Sequence, residues 1–407
     1  MRSILCGLAA SLVLAAPAAT KPSATDQAAI AAVETRLMPR AAAADAAVPK
    51  TLADRMAELK VPGVSIAFIQ GGRVTWTRTY GVAEAGGTRP VTPETMFQAA
   101  SMSKALAAAA ALRLVEQGRL DLDGDINARL TAWKLPDSPY TTQKKVTLRG
   151  LLSHTAGLTV SGFPGYAAGK PVPTTVQILN GEPPSNTPAV RSFEAPGTYA
   201  YSGGGYTVAQ LAMVEAGGRT YGRLLDDLVL RPVGMRHSTF AQPLTRNLLK
   251  RAISAHNAKG EIIPGGSNTY PEYAAAGLWT TPSDYGRFLI ALQNAHDKRR
   301  GALLEPASAQ AMLTPVDADY GLGLSLGRWG GHPYIQHSGG NAGIACVAFA
   351  FLDGSRQGVV IMTNADGGGR LLNEIFAAFV EAYGWGERDP GTRGSIRRAP
   401  FVPAAPK

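Results

Sequence analysis

The strand-forming segments of this chain stand at its two ends, and this placement constrains the fold most. Near the start, GVSIAFI and RVTWTRTYG flank Gln70, Gly71 and Gly72, which is the pattern of a β-hairpin. Toward the end, YGLGLSLGRW, YIQHSG, IACVAFAFL and GVVIMTN are separated by short turns and indicate an antiparallel meander. We expect the hairpin to join the meander in one sheet, so that both ends of the chain build one lobe.

The chain between these ends has the pattern of helices and loops. A closing segment, RLLNEIFAAFVEAYGW, carries two apolar stripes at helical spacing and should pack on the sheet. The predicted fold class is therefore α+β, an antiparallel β-sheet flanked by helices over about 49–115 and 270–385, with a mostly helical second lobe over about 116–269. Residues 159–197 are rich in Gly, Pro, Ser and Thr, and we expect this long loop to shape the rim of a cleft.

Both termini differ in composition from this domain, which we place at 49–385. Met1 and Arg2 precede an apolar run and a small-residue cleavage site, so residues 1–18 resemble a secretory signal peptide. The run is too short to span a bilayer comfortably, and we predict an exported protein, periplasmic or secreted, without stable membrane insertion. Residues 19–48 are predicted to be an Ala-rich leader, and residues 386–407 a disordered basic tail.

Composition excludes several classes of function. The net charge of +10 is not clustered and no basic stripe is interleaved with aromatic residues, so we expect no nucleic-acid partner. Signal-peptide cleavage would leave Cys346 as the only cysteine, and no C-x-x-C or H-E-x-x-H pattern exists. The segment DLDGDI lacks the glutamate that a calcium loop carries at its twelfth position. No metal site and no cofactor are expected.

The segment FQAASMSKALAAAAALRLVEQG places a hydroxyl and an amine side by side. After Ser101 it has the pattern of a helix closed by Gly118, and Ser101 and Lys104 share one face of its first turn. Ser101 can be a helix cap, although a capping box carries Glu or Gln where Lys104 stands. Ser101 can also be a nucleophile whose proton passes to a neighbouring base, with free N–H groups at the helix start stabilising an oxyanion. This motif alone leaves both readings open.

Two further segments combine a titratable side chain with glycines. In PGTYAYSGGGY, Tyr201 precedes Ser202 and three glycines, so the backbone there can pass close to a substrate. In HSGGNAG, His337 ends a predicted strand and is followed by Ser338 and two glycines. Taken singly, a core tyrosine at a turn and a polar strand end explain these segments equally well.

The order of the three motifs resembles the serine β-lactamase and penicillin-binding-protein superfamily. The likeness is closest to the branch that holds class C β-lactamases, D,D-peptidases and family VIII esterases, and VPGVSIAFI, LLSHTAGL and GLWTTPSDYGRFL agree with that branch. The resemblance covers about residues 50–385. It implies a β-lactamase/transpeptidase-like fold and a serine hydrolase domain over 49–385.

The resemblance also implies roles for individual residues. Ser101 would be the acylated nucleophile, and Lys104 would lie within hydrogen-bond reach and share its proton. Tyr201 would act as the general base in acylation and then return the proton to the leaving group. His337 would stand where many members carry a lysine. The backbone N–H groups of Ser101 and Gly340 would form the oxyanion hole.

Two departures from the family pattern bear on the substrate. Gly203 stands where class C β-lactamases carry the Asn of Tyr-x-Asn, which normally holds a substrate amide. The third motif is His337-Ser338-Gly339 instead of Lys-Thr-Gly, and a histidine that is neutral near pH 7 is a weaker anchor for a carboxylate. We take Gly203, Ser338 and Gly339 as substrate-binding positions. The resemblance then implies action on carboxylic esters, small amides or D-amino-acid peptides, with weak or no β-lactamase activity.

Two alternatives remain. The chain can be a penicillin-recognising, peptidoglycan-binding protein or a D,D-carboxypeptidase that is acylated at Ser101 and deacylated slowly. It can also be a Ser-His-Asp hydrolase that uses His337 as base and Ser325, in the G-x-S-x-G match Gly323 to Gly327, as nucleophile. We expect that match to be a decoy, because it lies in a predicted strand and no helix follows it. His154 is expected to be a structural histidine, and the oligomeric state is left open.

Overall fold

The computed structural model describes residues 22–39 and 48–390. Six strands form one antiparallel sheet in the order β2-β1-β8-β7-β6-β5, and two short strands, β3 and β4, pair beside it. The strands are β1 (Gly63–Gln70), β2 (Arg73–Gly81), β3 (Phe97–Gln98), β4 (Trp279–Thr280), β5 (Ser325–Trp329), β6 (His332–Asn341), β7 (Ile344–Phe351) and β8 (Gly358–Thr363).

The two ends of the chain meet in this sheet, as predicted. Strands β1 and β2 form a hairpin whose turn holds Gly71 and Gly72 at positive φ, a conformation that glycine adopts without steric cost. Strand β1 then pairs with β8, with Ile66 opposite Ile361, while β5 to β8 form the meander. The prediction of an antiparallel sheet flanked by helices is confirmed.

Helices cover both faces of the sheet and fill the middle of the chain. They are α1 (Ala24–Thr35), α2 (Leu52–Glu58), α3 (Ser103–Glu116), α4 (Leu148–Leu152), α5 (Thr175–Asn180), α6 (Gly203–Gly217), α7 (Tyr221–Leu225), α8 (Arg231–Val233), α9 (Arg246–Leu249), α10 (Tyr273–Ala276), α11 (Pro282–His296), α12 (Pro306–Met312) and α13 (Gly368–Tyr383). Short 3-10 turns occupy Ala100–Met102 and Ile126–Ala128, and a π-turn occupies Asp226–Leu230.

Alternation along the strands divides the core between the two faces. On one face, Ile361 packs in the cluster that also contains Leu371, Ile375 and Phe379 of α13, so the closing helix packs on the sheet as its stripe predicts. On the other face, Val360 belongs to a larger cluster that runs through α3 and α11 into the helical lobe. Lys104 of α3 and the predicted site residue His337 of β6 lie on this second side.

Three segments depart from their sequence-based description. Only the second half of YGLGLSLGRW is strand, because Gly323 turns at φ +78° where an added Cβ would lie 2.7 Å from the Lys104 carbonyl oxygen. The 159–197 loop contains α5. The predicted Ala-rich leader, 19–48, contributes α1, which begins with a capping box between Ser23 and Asp26 and buries Val33 in the α13 cluster.

The predicted signal peptide lies outside the described residues, and so does the tail beyond residue 390. Within 22–39 and 48–390, no helix combines the length and the apolar character needed to cross a bilayer. The limits of the domain at 49 and 385 remain predictions.

Candidate active site

Ser101 lies in the 3-10 turn that leads into α3, where the chain is held in an unusual conformation. The preceding residue, Ala100, is fully buried and has φ +47°, which costs a non-glycine residue about 1–3 kcal/mol. Strand β6 passes directly beneath the turn, since a Cβ added to Gly339 would lie 2.3 Å from the carbonyl oxygen of Ala99. Gly339 is therefore required for this close approach, and Ser101 stands partly exposed above it.

Lys104 is buried one turn into the helix, with its ammonium nitrogen aimed back at Ser101. Its Nζ donates to Ser101 Oγ at 3.2 Å and to the carbonyl oxygen of Ala275, on α10, at 2.8 Å. The same nitrogen lies 5.0 Å from the ring centroid of Tyr201 and 5.5 Å from that of Tyr206. A carbonyl and two aromatic faces partly replace the hydration that a buried ammonium loses.

Tyr201 is held on both sides by hydrogen bonds to His154. The backbone N–H of Ala200 donates to the His154 carbonyl at 2.8 Å, and that of Ser202 donates to His154 Nδ1 at 3.0 Å. The His154 ring lies 4.1 Å from the Tyr201 ring, centroid to centroid. Ser202 then caps α6 by accepting from the Gly205 N–H, so the turn that presents Tyr201 is fixed at both ends.

His154 is a structural residue in this arrangement, as expected. It is fully buried, and burial, reinforced by the nearby Lys104 and His337, holds its pKa well below the ordinary value of 6.5. Because Nδ1 accepts from Ser202, the proton of the neutral ring is on Nε2, and that atom has no hydrogen-bond partner among the described residues.

His337 lies on β6 and is neutral. Its Nδ1 is 2.6 Å from the Ser338 carbonyl oxygen and its Nε2 is 3.1 Å from Tyr320 Oη. Burial, together with the charge of Lys104, lowers the pKa of His337 from 6.5 to about 3. A neutral imidazole cannot neutralise a substrate carboxylate, which agrees with the weak anchor expected from the sequence.

The structure also shows what surrounds the predicted substrate-binding positions. Gly203 is the first residue of α6, and an added Cβ would lie 2.7 Å from Cε2 of Phe163. The ring of Phe163 therefore fills the space next to Gly203 that a side chain would take. On β6, Ser338 and Gly340 are exposed.

The structure thus brings Ser101, Lys104, Tyr201 and His337 into one cluster, in which only Ser101 is partly exposed, with Gly339 beneath the turn that carries Ser101. The sequence did not single out Phe163, Tyr320 or Ala275, each of which reaches the cluster through tertiary packing. Of these three residues, Tyr320 had one signal in the sequence that could have drawn attention to it. It is the first residue of the segment YGLGLSLGRW, and it stands 17 residues before His337.

The decoy motif does not have the geometry of a nucleophile. Ser325 begins β5, where it is opposite Gln336, and the strand ends in a turn at Gly330 and Gly331 that leads into β6. A nucleophile elbow needs a strand, a sharp turn and a helix, and no helix follows here. Across residues 22–39 and 48–390, no group of three or more His, Cys, Asp or Glu side chains could hold a metal ion.

Comparisons with known proteins agree with this architecture. The Beta-lactamase family model matches residues 48–381. The chain is 28% identical over 232 residues to Protein flp of Staphylococcus aureus strain N315, a match that covers 55% of this chain and 42% of that protein. This chain therefore spans less than half the length of that relative.

Two solved structures show the same fold at low sequence identity. An octameric penicillin-binding protein homologue from Pyrococcus abyssi is 22% identical with a TM-score of 0.68, covering 82% of this chain and 76% of the other. D-amino acid amidase from Ochrobactrum anthropi SV3, complexed with L-phenylalanine, is 21% identical with a TM-score of 0.67, covering 89% and 100%.

Proposed function

Because the chain belongs to the Beta-lactamase family, we propose that it is a serine hydrolase that works through an acyl-enzyme on Ser101. The observation that carries the proposal is the contact of 3.2 Å between Lys104 Nζ and Ser101 Oγ, inside a cluster that also holds the Tyr201 ring. A buried ammonium beside a tyrosine favours the phenolate, which is the form able to accept a proton.

In the proposed reaction, Tyr201 takes the proton of Ser101 while Oγ forms a bond to the substrate carbonyl carbon. The carbonyl oxygen becomes an oxyanion and accepts hydrogen bonds from the backbone N–H groups of Ser101 and Gly340. The bond to the leaving group then breaks, and Tyr201 returns the proton to that group. Water repeats the sequence on the acyl-enzyme. The steps move protons and acyl groups only and need no cofactor.

We propose carboxylic esters, small amides or D-amino-acid peptides as substrates, with weak or no β-lactamase activity. Neutral His337 offers no charge to a substrate carboxylate, and the Phe163 ring stands next to Gly203 in place of an amide-bearing side chain. Both features favour uncharged, partly apolar substrates. The fold shared with a D-amino acid amidase is compatible with this choice.

The alternative is a penicillin-recognising, peptidoglycan-binding protein or D,D-carboxypeptidase with slow deacylation. Penicillin and a D,D-peptide both carry a free carboxylate, and a neutral His337 would bind that carboxylate only weakly. We also propose that the protein is exported, on the character of residues 1–18. N-terminal sequencing of protein recovered outside the cytoplasm would show whether that segment is removed.

Intact-protein mass spectrometry tests the nucleophile. The protein is exposed separately to a short-chain p-nitrophenyl ester, a penicillin and a fluorophosphonate, and peptide mapping locates any adduct. We expect a fluorophosphonate adduct on Ser101 and fast ester turnover with little penicillin adduct. Ser325→Ala is the matched control and should react normally. A stable penicillin adduct would favour the alternative, and absence of any Ser101 adduct would overturn the proposal.

A further inference from the structure

Both ring nitrogens of His337 are engaged by hydrogen bonds within the protein. Nδ1 lies 2.6 Å from the Ser338 carbonyl oxygen, and because a carbonyl only accepts, Nδ1 must carry the proton. In the neutral ring Nε2 is then the acceptor, so the hydroxyl that lies 3.1 Å away on Tyr320 donates to it. These two bonds fix the tautomer and the orientation of the imidazole.

The Ser338 carbonyl belongs to the end of β6 that pairs with one neighbouring strand. The pairing of β6 with β5 ends at Gln336, and beyond this residue β6 pairs with β7 among the described strands. The Ser101 turn packs over this end of β6, where Gly339 permits the close approach. Two consecutive glycines, Gly339 and Gly340, also leave this backbone more conformational freedom than any other pair of residues would.

Tyr320 is itself well anchored. It is 3% exposed, its backbone N–H donates to the Asp317 carbonyl at 3.0 Å, and it forms a bridge with Ser325 at the start of β5. Its ring packs against those of Tyr199 and His154, with centroids 5.4 Å and 4.9 Å away. The segment that leads into β5 therefore holds the Tyr320 hydroxyl in place as a hydrogen-bond donor to His337.

We propose that Tyr320 and His337 form a clamp on the edge of β6. Tyr320 orients the imidazole, His337 Nδ1–H holds the Ser338 carbonyl, and the held Ser338–Gly339 peptide restrains the next peptide, which carries the Gly340 N–H. His337 is then a positioning residue that acts through its own backbone, not a cation that binds substrate. The clamp rests on the proposed function, because it acts on the N–H group assigned there to the oxyanion hole.

Steady-state kinetics of Tyr320→Phe and His337→Lys separate the clamp from a charged anchor. Loss of the Tyr320 hydroxyl should lower kcat about ten- to a hundredfold with KM within about twofold, because a misplaced oxyanion donor affects the transition state and not ground-state binding. His337→Lys should lower kcat similarly and should not improve kcat/KM for an ester that carries a free carboxylate. If residue 337 served instead as a charged anchor for the substrate, His337→Lys should improve kcat/KM for that ester.

Tyr221→Phe is the matched control. Tyr221 is a buried tyrosine outside the cluster, and its hydroxyl has no hydrogen-bond partner among the described residues. Its removal should leave kcat unchanged. If Tyr320→Phe stays within twofold of the wild-type kcat while remaining folded, the clamp is wrong, whereas the mass spectrometric test of Ser101 would still stand.

A spectroscopic measurement on the unmodified protein tests the clamp independently of any variant. In a sample labelled with nitrogen-15 at histidine, two-bond proton–nitrogen correlations distinguish the two neutral tautomers from imidazolium. We expect His337 as the Nδ1–H tautomer at pH 7 and His154 as the Nε2–H tautomer, with the His337 signals assigned by their loss in His337→Lys. Detection of His337 as the Nε2–H tautomer or as imidazolium would overturn the proposal even if Tyr320→Phe did not fold.

Discussion

Two aromatic clusters lie on opposite sides of the sheet and differ in how their buried polar groups are hydrogen-bonded. The α13 cluster contains Phe68, Trp76, Phe379, Tyr383 and Trp385. The site cluster contains Lys104, His154, Tyr201, Tyr320 and His337. In the α13 cluster the carboxylate of Asp26 accepts from Tyr383 Oη at 2.7 Å and from Trp76 Nε1 at 3.2 Å. In the site cluster, His154 Nε2 has no hydrogen-bond partner within the part of the chain that the structure describes.

The α13 cluster therefore has the hydrogen-bonded polar groups of a stable core, whereas the site cluster has the features expected of an active site. Asp26 keeps its charge because its hydrogen bonds outweigh the burial that opposes it. In the site cluster, burial and the nearby Lys104 lower the pKa of His154 and of His337. Both imidazoles therefore stay neutral and do not readily take up a proton. The comparison predicts that substitutions in the site cluster reduce activity more than stability, and that substitutions in the α13 cluster do the reverse.

The largest expected effect is the loss of activity in Lys104→Met. The side chains are similar in length, but methionine can neither hydrogen-bond Ser101 nor favour a Tyr201 phenolate, so kcat/KM should fall about 10³–10⁴-fold. The free energy of unfolding should equal or exceed the wild-type value, because a buried charge is removed. Ester hydrolysis and urea unfolding measure the two effects. Retained activity would exclude the proposed mechanism.

Phe379→Ala should show the reverse pattern. Phe379 is fully buried and stacks against Phe68 and Tyr383, so its truncation should cost about 3–5 kcal/mol of unfolding free energy. The kcat of the folded fraction should be unchanged, since the residue lies across the sheet from Ser101. Tyr140→Ala, at a side chain that is 45% exposed, is the control and should change stability by less than about 0.5 kcal/mol. A large fall in kcat would show that the two clusters are coupled.

Asp26→Asn tests the hydrogen-bonded carboxylate. Burial opposes its charge, but hydrogen bonds from Tyr383, Ser23 and Trp76 set the pKa of Asp26 below the ordinary 3.8. A lowered pKa stabilises the fold above the pKa of the unfolded chain, and this contribution is lost as pH falls below about 4. At pH 7 the variant should lose about 1–3 kcal/mol of unfolding free energy.

Unfolding measured at pH 7 and at pH 3 checks this sign. The difference between wild type and Asp26→Asn should shrink at the lower pH, because the Asp26 carboxyl of the unfolded wild-type chain is then largely protonated and folding has to release that proton. A difference that stays constant with pH would mean that the charge of Asp26 contributes nothing and that only the shape of the side chain matters.

The sequence predicted the architecture, and it predicted that Ser101 and Lys104 lie side by side, because both depend on local patterns. Short, nearly continuous apolar runs specified β1 and β7, and the spacing of Ser101 and Lys104 put them on one face of a turn. Glycine positions were informative as well, since Gly339 marks the close passage of β6 beneath Ser101.

The residues that support the site were not predictable in the same way. Tyr320, Phe163 and Ala275 act through contacts made only after distant segments pack together, and nothing in the neighbouring sequence marks Phe163 or Ala275. The Ala275 group is a backbone carbonyl, which any residue could supply. The Ala-rich leader was expected to be partly helical at best, because it has few large apolar groups, whereas Ala24–Thr35 form a complete helix that its capping box and its packing near α13 stabilise.

The smallest expected effect concerns the wall next to Gly203. A side chain at Gly203 would meet the Phe163 ring at 2.7 Å, so Gly203→Asn should lower ester kcat/KM about tenfold through overpacking. Phe163→Ala should relieve this clash, and by itself it should raise kcat/KM for a phenylacetyl ester relative to an acetyl ester about tenfold. A double-mutant cycle measures the coupling between the two positions. Additive effects would mean that the Phe163 ring moves freely and does not shape the substrate wall, whereas strong coupling would identify this aromatic contact as the feature that replaces the family's asparagine.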